Sequence, residues 1–171
     1  MSKLKNQGRK MRMLFAPRPK GLGKENFLRL NDQEEVTGIF RGDIYLFKRH
    51  WANNRSSECP GAGCQLCATQ LKENYAAFRF RINFVAYKNG QWIAKVFEGG
   101  GATYDLLTSL DKKFDLSKIF IDITRRGMRQ NTKYDILPRT DQPITQEMEA
   151  KIKAIQLVPL STGPRSEIQE S

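Results

Sequence analysis

Six short β-favouring runs separated by turn residues, one helical repeat between the later runs, and a tight His/Cys cluster interrupting the earlier ones predict a mainly β fold. The small architecture that uses such a set is an OB-fold-like barrel of five to six strands, here with a metal-binding loop insertion and one or two short helices. A mixed α+β sheet with one covered face is the competing design.

The elements follow in chain order. From Met1 to Lys24 every charge is basic, and Pro17, Pro19, Gly21 and Gly23 break any regular element. Residues 1–26 are equally a mobile basic arm or a plainly solvated terminus. The OB-fold domain is expected over 27–140. Val36–Arg41 and Ile44–Trp51 look like two strands joined by a tight turn at Gly42-Asp43. Phe78–Tyr87 alternates, Lys88-Asn89-Gly90 is a hairpin turn signal, and Gln91–Phe97 returns as the partner strand. Gly99-Gly100-Gly101 is expected to be a flexible joint. Thr103, Leu107, Leu110 and Phe114 share one helical face. Ile119, Ile121 and Ile123 point one way along a buried strand, Lys118–Thr124, and Lys133–Leu137 closes the β set. A C-terminal helix is expected within 141–158, capped by Thr145, striped by Met148, Ile152 and Ile155, and braced by Glu147–Lys151 and Glu149–Lys153. The tail, 159–171, is expected to be disordered.

Composition narrows the function classes. The chain has 171 residues, a formal charge of +11 and a pI near 9.8. That excess favours a polyanionic partner, because each neutralised phosphate releases a counterion. No run approaches the ~18 apolar residues of a membrane span. The basic start lacks the apolar region of a signal peptide, so the expected location is a reducing cytoplasm. The three cysteines are then better metal ligands than disulfide partners.

His50, Cys59, Cys64 and Cys67 are the only His and the only Cys residues of the chain, spaced H-x8-C-x4-C-x2-C. A Cys₃His set is a closed tetrahedral zinc site, and Gly61 and Gly63 let the backbone fold back on itself. A zinc-binding loop insertion is therefore expected over 50–67, with structural Zn²⁺. A deaminase needs His-x-Glu, but Trp51 and Ala52 follow His50. With the sole His on the metal, triad chemistry has no base, and no phosphate-binding G-x-x-x-x-G-K-[ST] loop occurs. The expected protein is not an enzyme.

Single-strand binders combine cations for phosphates with rings for bases. Tyr45, Phe47, Arg49 and Trp51 share one strand face. Arg79, Arg81 and Tyr87 lie opposite Phe78, Phe80, Ile82 and Phe84. The next strand adds Trp92 and Lys95, and Arg125, Arg126, Arg129 and Tyr134 gather near one turn. Core packing competes for every ring. Phe78, Phe80, Phe84 and Phe114 are assigned to the core, and Tyr45, Phe47, Trp51 and Trp92 to a nucleic-acid face. Arg79, Arg81, Trp51 and Tyr45 are expected on one groove.

The order His50, Cys59, Cys64-x2-Cys67, set in a basic β domain with FKRHW, CPGAGCQLC and RFRINFVAY, resembles the zinc-containing single-stranded DNA-binding (helix-destabilising) proteins of tailed, T4-like phages. The resemblance spans roughly Glu34 to Pro138. It implies an OB-fold that coats and protects single-stranded DNA during phage replication, recombination or repair, with little sequence preference. It further implies zinc on the four ligands, bases stacked on neighbouring aromatics, and cooperative self-association through the basic arm. Replication or recombination proteins are the implied partners. The metal loop is shorter than in the T4-type protein, and the last residues are only weakly acidic. A zinc-ribbon RNA-binding protein and a zinc-stapled replication adaptor remain the alternatives.

Overall fold

In the computed structural model, residues 22–52 and 54–161 are described. Most of the basic arm and the end of the tail lie outside them. Six strands form one antiparallel sheet: β1 (Glu35–Ala52), β2 (Arg55–Glu58), β3 (Ala77–Lys88), β4 (Gln91–Gly100), β5 (Phe120–Arg126) and β6 (Lys133–Arg139). The helices are α1 (Gln65–Ala68), α2 (Gly101–Phe114) and α3 (Gln146–Ala154). None of the described helices is long and apolar enough to cross a membrane.

The main path runs β4-β3-β1-β5-β6, with β2 paired to the far end of β1. The fold is mainly β as expected, but the sheet is open. Among the described residues no ladder joins the edge strands β4 and β6. Part of the β4 edge is instead occupied by the N-terminal segment, where Phe27 bridges Val96 and the Leu28 amide donates to the Val96 carbonyl. Side chains still meet across the seam, with the Phe97 and Tyr134 rings edge to face at 5.2 Å.

Gly42-Asp43 does not reverse the chain. Both halves of the expected strand pair continue as β1 and pair with the same neighbour, β3, with a register shift between Arg41 and Tyr45. Gly42 takes φ +76°, so the irregularity bends one strand and lets it reach two sets of partners. At Gly38 a side chain is excluded outright: a Cβ would sit 2.5 Å from the Val85 carbonyl oxygen. The glycine run is not a loose joint either. Gly99 and Gly100 finish β4, and Gly101 starts α2 directly.

The principal core lies between the inner sheet face and α2. It contains Phe40, Phe80, Ile82, Phe84, Phe97, Leu107, Ile121 and Ile123, with Leu110, Phe114 and Ile119 packed against it. Phe78, assigned to the core by its alternation, lies near the strand end and is 38% exposed. A second cluster covers part of the outer face: Ile39, Val85, Phe120 and Ile152, flanked by Trp92, Ala94, Ile155 and Leu157. Helix α3 supplies Ile152, is capped by Thr145 at the Met148 amide, and carries the Glu147–Lys151 and Glu149–Lys153 pairs.

Candidate metal centre and cationic cleft

β1 outruns the body of the sheet and folds back through β2, with Arg49 opposite Glu58 and Ala52 opposite Arg55. This projecting hairpin positions the ligand cluster. His50 sits near the end of β1, Cys59 follows β2, Cys64 caps α1 and Cys67 lies on it. Gly61 and Gly63 both take positive φ, the left-handed backbone that returns Cys64 towards His50.

The four ligand atoms lie within 4.8 Å of one another, close enough to hold one metal ion. His50 is 1% exposed. Its Nδ1 lies 2.6 Å from the Asn74 carbonyl oxygen, which only accepts, so Nδ1 carries the proton. The Nε2 lone pair then faces the sulfurs, 3.2 Å from Cys64 Sγ and 3.5 Å from Cys67 Sγ. The thiols are crowded: Cys59 Sγ and Cys67 Sγ are 3.7 Å apart. Backbone hydrogen bonding at Cys67 pulls the Cys64 thiol down to about 7, while the Cys59 thiol beside it pushes Cys67 up to about 11. Neighbouring sulfurs resist joint ionisation, and a cation among them removes that conflict.

Beside the hairpin, Arg81 is buried at 4% exposure. Its guanidinium pairs with Glu58 at 3.2 Å and Glu98 at 3.0 Å, and donates to the Leu160 carbonyl. It lies 4.1 Å from the Phe47 ring centroid, with Phe27 and Tyr45 also near. Arg49 grips Glu98 through two hydrogen bonds, and the Tyr45 hydroxyl donates to Glu58. Burial, then Glu58, pushes the Tyr45 hydroxyl up to about 12. Phe47 is 8% exposed. The single groove expected of Tyr45, Trp51, Arg79 and Arg81 is therefore not what these strands form. Distant segments cover Arg81, whose guanidinium lies over Phe47, and of these four residues Trp51, at 62% exposure, stands free on the hairpin.

Arg79 lies elsewhere. It lines a cavity of about 680 Å³ at the unpaired seam, together with Arg29, Arg125, Arg129, Tyr134 and Glu98. Among the described residues none of these four arginines has a carboxylate at ion-pair distance. Arg125 is held by neutral acceptors, the Leu30 carbonyl and the Thr132 hydroxyl, and its Nε is buried without a partner. Glu98, the cavity's one acid, is already matched by Arg49 and Arg81. Three expected cations and one expected ring thus meet in one place, while Arg29 escaped notice in the sequence.

The remaining expected positions scatter. Tyr87 and Trp92 are in contact at 4.8 Å, and Trp92 stacks on Phe120 in the second cluster. Lys95 donates to the Glu25 carbonyl, and Arg126 pairs with Asp135.

No protein-family model, curated protein or solved structure matches the chain. The family resemblance rests on the motif residues alone.

Proposed function

We propose that this protein binds single-stranded DNA without strong sequence preference, as a non-enzymatic coat whose metal hairpin is held by structural zinc. The observation that carries this reading is the cavity in which Arg29, Arg79, Arg125 and Arg129 gather without carboxylate partners. By contrast Arg49, Arg81, Arg126 and Arg139 are each paired with a carboxylate. Like charges gathered in one cavity repel one another unless an anion sits among them. Tyr134 in its wall, and Trp51 and Tyr75 exposed on or near the hairpin, offer rings for unstacked bases, which a duplex does not present.

Three sulfurs and one imidazole nitrogen are the donor set of closed zinc sites. Filling all four positions from protein leaves none for a reacting water, so the metal's role is to hold the hairpin, and with it Glu58, Tyr45 and Trp51. Coating of strands during replication, recombination or repair is the biological setting this reading implies.

Titrating a labelled oligothymidylate at increasing salt tests the proposal. Four phosphate contacts give a fall in log K of about 3 per tenfold rise in salt, at ~0.7 per phosphate on single strands. A flat salt response removes the cleft from the account and favours the adaptor reading.

A further inference from the structure

We infer that the seam cavity is a seat for a phosphate monoester, the group carried at a phosphorylated strand end or on a free nucleotide. The inference rests on the single-strand reading and specifies which phosphate the cleft prefers.

Charge is the first argument. An internal phosphodiester carries one negative charge, whereas a monoester carries about −1.5 to −2 at neutral pH and has three terminal oxygens to accept from guanidinium forks. Four guanidiniums line one cavity, with Glu98 already matched, so a terminal monoester there answers more of their charge than a diester at the same point. Among the described residues Arg125 meets only neutral acceptors, the Leu30 carbonyl and the Thr132 hydroxyl, so its charge is unmatched.

Shape is the second. The segment Phe27–Asn31 crosses the seam and is tied to both sides. The Leu28 amide donates to Val96 on β4, and the Leu30 carbonyl accepts from Arg125 on β5. Leu28, Arg29, Leu30 and Asn31 thus wall the cavity where a closed barrel would have a ladder. The size, about 680 Å³, leaves room for the terminal nucleotide of a strand.

The third is the start of α2. Gly100 at its N-cap has no side chain to satisfy the first-turn amides, and Gly99, Gly100 and Thr103 line the same cavity. The positive end of a fourteen-residue helix therefore adds to the arginines and favours the more highly charged anion.

The test uses the full chain and four probes: one oligothymidylate with a 5′-phosphate, with a 3′-phosphate and with hydroxyl ends, and thymidine monophosphate as competitor. At least one phosphorylated strand is expected to bind about tenfold more tightly than the hydroxyl-ended strand. The 5′ and 3′ arms identify which end is seated, and displacement by the monophosphate extends the seat to free nucleotides. In the Arg79→Gln/Arg129→Gln double variant the preference is expected to vanish. Both side chains lack carboxylate partners, so the melting temperature should hold. Equal affinity for all three strands overturns the inference while leaving single-strand binding intact. A preference that survives in the double variant also overturns it, by placing the seat elsewhere. No binding of any strand overturns both.

Discussion

Arg79 and Arg81 lie two residues apart on the same face of β3, and the structure assigns them opposite roles. Replacing Arg81 with Met keeps the side-chain length but removes the charge between Glu58 and Glu98. Breaking a buried ion pair from one side costs about 3–5 kcal/mol. Here the loss falls at the lower end, ~3 kcal/mol, because each acid keeps a partner: Glu98 retains Arg49, and Glu58 retains Tyr45. For a chain of this size that is a fall in melting temperature of roughly 6–12 °C. Arg79→Met removes a guanidinium with no carboxylate partner, so stability should hold within about 0.5 kcal/mol. Thermal unfolding and oligothymidylate binding measured on both variants separate the roles. Arg79→Met should lose affinity at unchanged stability, and Arg81→Met should lose stability, with affinity falling only as the folded fraction falls. An Arg81→Met protein as stable as the parent but deficient in binding would refute the buried-hub assignment.

Three further outcomes follow from the hairpin. Cys64→Ser should lower zinc content below one ion per chain, by elemental analysis, while far-UV circular dichroism shows the β-sheet retained, since the cores lie outside the hairpin. Tyr45→Phe tests the raised hydroxyl. A folded-state value near 12 against an ordinary 10 stabilises the fold fully below pH ~10, a contribution that is lost as pH rises through 12. The stability gap between parent and variant should therefore shrink across that window, and a gap that stays constant rejects the half-buried Tyr45–Glu58 contact. Trp51→Ala should weaken single-strand binding by ~1–3 kcal/mol with zinc content unchanged. Loss of zinc instead would make Trp51 a lid over the metal.

What the sequence revealed and what it hid divide by range. The β3–β4 hairpin was legible because its signals are local: the alternation that starts at Phe78, a β-favouring return strand, and between them Asn89-Gly90, which both take the positive φ of a tight hairpin turn. The metal cluster was legible because its residue types occur nowhere else in the chain. Gly42-Asp43 misled because a turn dipeptide says nothing of partners. The twelve-residue β3 pairs with both halves of β1 and keeps them in one direction. Alternation placed Arg81 opposite the core, correctly, but a face can be covered by remote chain. Phe27, Glu58 and the Leu160 carbonyl close over it from three separate segments. In the same way Trp92 faces outward only to meet Phe120 and the cluster built around α3. Arg29 and Glu98 join the cavity across an unpaired seam, which no local periodicity encodes.

The most direct measurement is a competition experiment at one fixed salt concentration. Unlabelled single-stranded DNA, duplex DNA and RNA of matched length displace a labelled oligothymidylate from the 171-residue chain purified with zinc in the buffer. Single-stranded DNA should displace it at a concentration about tenfold or more below that needed for duplex, because only unpaired bases reach the exposed rings. Displacement by duplex at the same concentration, or failure of the oligothymidylate to bind at all, would contradict the account.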